Sequence, residues 1–110
     1  MNQITFDLVE KHNGIDLRVK ENTSVFAQWN GIVSNIYDID KEGITIEISH
    51  GNDLKTIYKH LSNSKVSIGD NVTQYQIIGN VGKNNDGVDT HLHFGIYLDG
   101  EYVNPLNYYK

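Results

Sequence analysis

Apolar and polar residues alternate along several short stretches of this 110-residue chain. In the clearest stretch, Ile44, Ile46 and Ile48 are separated by polar residues. Because successive side chains of a strand point to opposite faces of a sheet, this period of two predicts a half-buried strand. Further strands are predicted at residues 4–9, 24–27, 32–37, 54–60, 76–82, 91–98 and 101–103. With no helix predicted beyond a turn or two, the fold class is all-β, a small antiparallel sandwich or open barrel-like sheet.

The turn at residues 51–53 decides which face of the next strand is buried. If the loop has three residues, Ile46 faces Tyr58 across the hairpin. Ile44 then faces His60, which would place this histidine on the face of the isoleucine row. A two-residue loop would reverse the face, because a shift of one residue moves every side chain to the other side. The sequence alone leaves this choice open.

Three other connections have clear turn or loop composition. Asp99-Gly100 is a strong two-residue hairpin signal between the last two predicted strands. Residues 61–64 are predicted to form a loop. Residues 83–89 are polar and contain glycine, so we expect a loop that contacts substrate immediately before the strand at residues 91–98.

Length, charge and cysteine content narrow the function classes. A chain of 110 residues is expected to form a single domain over residues 1–110. A net charge of −5 argues against a nucleic-acid partner, which would require a basic surface. The absence of cysteine excludes disulfides and cysteine-ligated zinc. No apolar run is long enough to span a membrane, and the N-terminus has no signal-peptide pattern.

The histidines carry the candidate chemistry. His91 and His93 are two residues apart in a predicted strand, so they would lie on the same face. His12 and Asp16 are four apart and can share a face in either an extended or a helical segment. Two histidines and one aspartate suit zinc, and a three-ligand site leaves a fourth position open for water. The alternative for each motif is a surface or core histidine without metal.

Four motifs, taken in their order along the chain, extend this interpretation. They are His12-Asn13-Gly14-Ile15-Asp16, Tyr58-Lys59-His60-Leu61, Gly69-Asp70-Asn71-Val72 and His91-Leu92-His93-Phe94. Together they resemble the LytM-type, lysostaphin-like zinc endopeptidases of family M23, over about residues 12 to 105. The resemblance implies a small antiparallel core with a duplicated hybrid motif and a groove lined by loops.

The resemblance also implies roles for individual residues. His12, Asp16 and His93 would bind Zn²⁺, while His60 and His91 would be catalytic without binding the metal. The reaction would be hydrolysis of peptide bonds in peptidoglycan stem peptides or cross-bridges. Imidazoles titrate in the range needed to handle the protons of such a reaction. Since His91 is two residues from a ligand, we expect it to orient or deprotonate water, and we expect His60 to stabilise the oxyanion.

The sequence departs from the family pattern in two places. Residues 84–90 replace a Thr-Gly-Ser-Thr-Gly-like run, and Gly95 stands where many members have Glu. Both departures affect the expected substrate preference and leave the metal site intact. The remaining histidine, His50, is interpreted as a turn or groove-wall residue.

Two functions from other classes compete with the peptidase. One is a non-catalytic LytM-like module that binds and regulates another cell-wall hydrolase; such modules typically lose metal ligands, which this chain keeps. The other is a sugar-phosphotransferase carrier domain with a phosphorylated histidine, which does not explain Asp16. We expect a monomer that acts on peptidoglycan peptides outside the cell or in the cell wall. It would be a trimmed catalytic domain, a phage or mobile-element protein, or a protein released by lysis.

Overall fold

The structure is a computed structural model that describes residues 5–11, 14–20, 22–39, 43–82 and 91–103. Side chains are described from residue 19 onward within these ranges, except at Ile39 and His91. The described strands are β1 (Thr5–Lys11), β2 (Gly14–Arg18), β3 (Ser24–Phe26), β4 (Gly31–Ile39), β5 (Gly43–Ser49), β6 (Leu54–Ser64), β7 (Asn71–Val72), β8 (Ile77–Val81), β9 (His91–Leu98) and β10 (Glu101–Val103). Within these ranges the chain is all-β, as predicted.

All strand pairs are antiparallel, and the strands form one curled, open half-barrel sheet. Its main order is β1-β2-β9-β6-β5-β4-β7. Strand β10 pairs with β9, and β8 joins both β3 and β6. The long strands β5, β6 and β9 therefore lie side by side at the centre. Among the described residues there is no apolar helix of membrane-spanning length.

The central strands have one apolar and one polar face. Ile46 of β5 pairs with Tyr58 of β6, which pairs with Phe94 of β9. All three side chains are buried, and the Tyr58 and Phe94 rings are 5.3 Å apart. The neighbouring row on this face is likewise buried, and it consists of Ile48, Thr56 and Ile96. The burial of this face fixes the register of the sheet, because a slip of one residue would expose it.

The hairpin between β5 and β6 confirms the three-residue loop at one pair and corrects it at the next. Ile46 pairs with Tyr58, as the three-residue loop predicts, but Ile44 pairs with Leu61 and not with His60. One extra residue in β6 therefore separates the two pairs, which is a β-bulge. The alternative in which His60 lies opposite Ile44 is therefore excluded.

The prediction of a loop at residues 61–64 was also wrong. Strand β6 continues to Ser64 because it gains a new partner, with Leu61 opposite Val81 and Ser64 opposite Gly79 of β8. Pairing with a strand distant in sequence supplies backbone hydrogen bonds that the local polar composition did not indicate. The segment thereby extends the central strand beyond the bulge.

The predicted two-residue turn at Asp99-Gly100 is confirmed. Leu98 pairs with Glu101 across the turn, and both turn residues have positive φ, 54° for Asp99 and 80° for Gly100. This combination is typical of a type I′ hairpin, whose twist matches that of the flanking strands. The predicted loop at residues 83–89 lies outside the described residues.

Candidate metal and catalytic centre

Three polar residues lie in one row across the centre of the sheet. His93 of β9 is opposite Asp16 of β2 on one side and opposite Lys59 of β6 on the other. Directly opposed residues of antiparallel strands lie on the same face, so the register places all three on the face away from Tyr58 and Phe94. His93 is 6 % exposed. The sheet therefore holds an imidazole at its centre with a carboxylate residue in the adjacent register position.

His60 reaches the same region through the bulge in β6. Its backbone has φ of 72°, in the left-handed region that non-glycine residues adopt rarely. Tyr58 and Leu61 on either side are each 1 % exposed. Both of these residues face the core, although in a regular strand residues three positions apart face opposite sides. The two residues between them, Lys59 and His60, therefore interrupt the alternation of side chains, which resumes at Leu61. The His60 ring is half-buried and nearly perpendicular to the His93 ring, with centroids 6.3 Å apart.

The bulge coincides with a change of partner strands. Strand β6 pairs with β9 as far as Lys59, opposite His93, and with β8 from Leu61 onward. His60 stands between the two pairings, and its carbonyl accepts a hydrogen bond from the Gly82 N–H at 2.8 Å. A bulge beside a change of pairing bends the strand and redirects a side chain. In this chain it directs His60 towards the row of His93.

The other predicted site residues are described to different extents. His91 occupies β9 opposite Arg18, two residues from His93, and so lies on the same face of the sheet. For His91 and Asp16, the strand position is described and the side chain is not. His12 lies outside the described residues. Within the side chains that the structure describes, no group of three potential metal ligands occurs.

The donor set fits a zinc ion. The described imidazole of His93, the carboxylate residue at the opposed position and the histidine at residue 12 are ligand types that zinc binds. Lys59, directly opposite His93, is not among these ligand types. The imidazole of His60 adds a group of the kind that transfers protons, near the His93 ring.

The strand register also gives the residues next to His93 on the same face. Gly95 of β9 is opposite Ile57 of β6, so this level lacks a side chain on β9. The next level pairs Tyr97 with Lys55, and the Lys55 ammonium lies 3.2 Å from the Glu47 carboxylate.

His50 lies apart from this site, immediately after the last residue of β5. Both of its ring nitrogens have hydrogen-bond partners in the protein. Its Nδ1 donates to the Asn30 carbonyl at 2.7 Å, and its Nε2 lies 2.7 Å from the Thr56 hydroxyl oxygen. The Trp29 ring packs edge-on against it, with centroids 5.6 Å apart. Burial lowers the pKa of His50, and the hydrogen bond to the Asn30 backbone partly opposes this shift. These contacts agree with the interpretation of His50 as a turn or groove-wall residue.

The sequence did not indicate the role of Tyr58 in this structural network. Its hydroxyl accepts the Gln28 N–H at 3.0 Å and lies 2.9 Å from the Thr56 hydroxyl oxygen. Burial raises the pKa of Tyr58 to about 12, against smaller opposing effects of these hydrogen bonds. Tyr58 thus holds the core side of the bulge, while His60 lies on the other side. The spacing of Tyr58 and Leu61 could have indicated the bulge, because two apolar residues three positions apart cannot share a face of a regular strand.

The left-handed backbone of His60 predicts an unusual order of stability between two variants. We expect His60→Gly to be more stable than His60→Ala by about 1 kcal/mol, because glycine adopts this conformation without strain. Both variants lose the imidazole, so any change in metal binding is common to them. Urea denaturation at a fixed zinc concentration measures the difference.

Lys59 provides the matched control, since it precedes His60 and has no positive φ. There the order should invert, with Lys59→Gly less stable than Lys59→Ala by about 0.5–1 kcal/mol. If alanine were the more stable replacement at both positions, the His60 backbone would not be strained in solution.

Comparison with known proteins places this chain in a family. The sequence profile of peptidase family M23 matches residues 10–105. Stage II sporulation protein Q of Bacillus subtilis is 39% identical over 99 residues, which cover 86% of this chain and 35% of that protein. Peptidoglycan DD-endopeptidase ShyA of Vibrio cholerae is 33% identical over 98 residues, which cover 89% of this chain and 23% of that protein.

A solved structure gives the same result for the fold. A zinc-containing peptidase from Vibrio cholerae superposes with a TM-score of 0.77 and 28% identity, over 84% of this chain and 28% of that chain. The chain spans about a third or less of the length of the first curated relatives that it matches. Because the family profile covers nearly the whole chain and the all-β fold agrees, this chain belongs to peptidase family M23.

Proposed function

We propose that this chain is a zinc-dependent endopeptidase that hydrolyses peptide bonds in the stem peptides or cross-bridges of peptidoglycan. The observation that carries the proposal is the row of Asp16 and His93, with the His60 ring 6.3 Å from the His93 ring. Membership of a metallopeptidase family and the similarity to a peptidoglycan DD-endopeptidase support the reaction class and the substrate. The proposed place of action is the cell wall or its outer surface.

The proposed metal ligands are His12, Asp16 and His93. The opposed positions of Asp16 and His93 support this assignment, as does the similarity to a zinc-containing peptidase. Zinc bound there would supply a Lewis acid and lower the pKa of its water to about 7. The sheet holds His93 in a buried position, which restricts the rotation of its ring.

The proposed catalytic residues are His60 and His91. His91 shares the face of His93 at a distance of two residues, so we assign it the task of orienting the attacking water and accepting its proton. His60 approaches from a different strand and is assigned to donate a hydrogen bond to the oxyanion of the tetrahedral intermediate. Each role uses a group that the fold brings to the face of His93.

A second candidate is a non-catalytic module that binds another cell-wall protein. The similarity to stage II sporulation protein Q favours it, because the name of that relative states a sporulation role and no peptidase activity. The two functions differ in their requirements. A binding module needs a surface, whereas the peptidase needs the row of His93 and Asp16 together with His60 and His91.

Digestion of purified peptidoglycan separates the candidates. Sacculi with glycine bridges and sacculi with direct cross-links are incubated with the zinc-loaded protein, and new amino groups and new reducing ends are measured separately. We expect new amino groups and no new reducing ends, because glycoside hydrolysis typically requires a carboxylate pair flanking the bond. His93→Ala, which lacks a proposed ligand, is the control for a contaminating hydrolase.

Other outcomes would contradict the proposal. Reducing ends without amino groups would indicate a glycosidase. Neither product, with zinc bound and both types of sacculi tested, would favour the binding module.

A further inference from the structure

Three segments of the chain surround the backbone of His60. The bulge in β6 is followed by Leu61, which pairs with Ile44 at the start of β5 and with Val81 at the end of β8. Gly43 begins β5 and Gly82 follows β8, so a glycine lies beside the bulge on each side. Neither glycine was identified as part of the site from the sequence.

Gly82 contacts the bulge through its backbone. Its N–H donates to the His60 carbonyl at 2.8 Å. A Cβ at residue 82 would lie 3.1 Å from the Ser62 nitrogen, 3.3 Å from the His60 oxygen and 3.3 Å from the Leu61 carbonyl carbon. These neighbours are backbone atoms, so a side chain at residue 82 would require the backbone of the bulge to shift by a few tenths of an ångström. The absence of a Cβ therefore permits the hydrogen bond that holds His60.

Gly43 closes the opposite side more tightly. A Cβ at residue 43 would lie 2.9 Å from the Leu61 oxygen and 3.3 Å from the His60 Cα. Gly43 also has φ of 78°, a conformation that glycine adopts without strain. The left-handed His60 thus rests between two backbones that approach it only because both positions lack a side chain.

We propose that Gly82 and Gly43 are positioning residues that fix the His60 ring relative to His93. The proposal rests on the proposed function in so far as His60 acts in hydrolysis. Its physical basis is that a misplacement of about 1 Å at a reacting group can cost about 10²-fold in rate, so that smaller shifts also lower the rate. Because contact at residue 82 or 43 falls on the backbone of the bulge, a single methyl group there would move the imidazole.

The test compares Gly82→Ala with Gly79→Ala. A Cβ at residue 79 would lie 2.5 Å from the Asn63 oxygen and 3.3 Å from the Leu61 side chain, and its three nearest atoms do not include any of His60. Both variants therefore strain the contact between β8 and β6, but only one of them acts on His60. Stability, zinc content, kcat and KM for peptide hydrolysis, and nuclear Overhauser contacts between the His60 and His93 rings are measured for the zinc-loaded proteins.

We expect Gly82→Ala to keep about one zinc per chain and a KM close to that of the wild type. Its kcat should fall about 3- to 10-fold, because the shift is smaller than 1 Å, and the contacts between the two rings should weaken or shift. Gly79→Ala should lose at least as much thermal stability, yet keep its kcat per folded molecule and its ring contacts. If Gly82 had only a structural role, Gly82→Ala would lower the stability without lowering kcat at an unchanged KM.

Wild-type kcat and unchanged ring contacts in Gly82→Ala would overturn the proposal, and so would an equal loss of kcat in Gly79→Ala. If the wild type hydrolyses no peptide, the proposed function fails, but the ring contacts still decide the positioning role. If Gly82→Ala does not fold, Gly43→Ala replaces it. Gly69→Ala is then the control, because Gly69 also has positive φ but nothing within 4 Å of its Cβ position.

Discussion

Replacement of His93 by alanine should remove the bound zinc and abolish hydrolysis. The wild type should contain about one zinc per chain when purified without chelator, since three ligands hold the ion. His93 is buried and lies opposite Asp16, so neighbouring side chains have little freedom to replace its nitrogen. Metal ions contribute several kcal/mol to transition-state stabilisation, so the loss of activity should be at least about 10³-fold.

Elemental analysis and thermal denaturation check this expectation together. Zinc that binds only the folded state stabilises it by about 2.7 kcal/mol at one hundred times its dissociation constant. The Tm of the wild type should therefore rise on addition of zinc, and that of His93→Ala should not. His50→Ala is the matched control, because His50 bonds to Asn30 and Thr56 and should affect stability without affecting zinc content.

A metal-free wild type whose Tm does not respond to zinc would contradict the proposed site. A full equivalent of zinc in His93→Ala would instead show that the ion is bound by other residues.

Replacement of either His60 or His91 should leave zinc in place and reduce kcat by about 10²–10⁴-fold, the usual contribution of one acid–base group. The two histidines are assigned different tasks, so their kinetic effects should also differ. Loss of His91 should lower kcat because the group that accepts a proton from the attacking water is removed. Loss of His60 should lower kcat more than it raises KM, because the oxyanion forms only in the transition state.

Zinc content and kinetics on one defined cross-link peptide decide between the roles. Lys59→Ala is a useful comparison, because Lys59 also lies opposite His93 but has no assigned proton-transfer task. An empty metal site in His91→Ala would mean that the ligand and catalytic roles are reversed. Wild-type kcat in His60→Ala would remove His60 from the mechanism.

Much of the architecture could be predicted from local sequence patterns. The alternation of Ile44, Ile46 and Ile48 predicted β5, and Asp99-Gly100 predicted the final hairpin turn. These features depend on interactions between residues close together in the chain, which the local pattern specifies. The spacing of His91 and His93 likewise determined that both lie on one face of their strand. The assignment of His12 remains a prediction from its motif.

The arrangement of the candidate site was decided by tertiary pairing. Asp16 and His93 are 77 positions apart in sequence, and only the pairing of β2 with β9 places them opposite each other. Regular alternation would have directed His60 into the core, but the burial of both Tyr58 and Leu61 forces an extra residue into β6. The cost of the left-handed backbone is met by packing on both sides and by the hydrogen bond from Gly82. The sequence determined which residue types were available, and long-range pairing determined where His60 lies relative to His93.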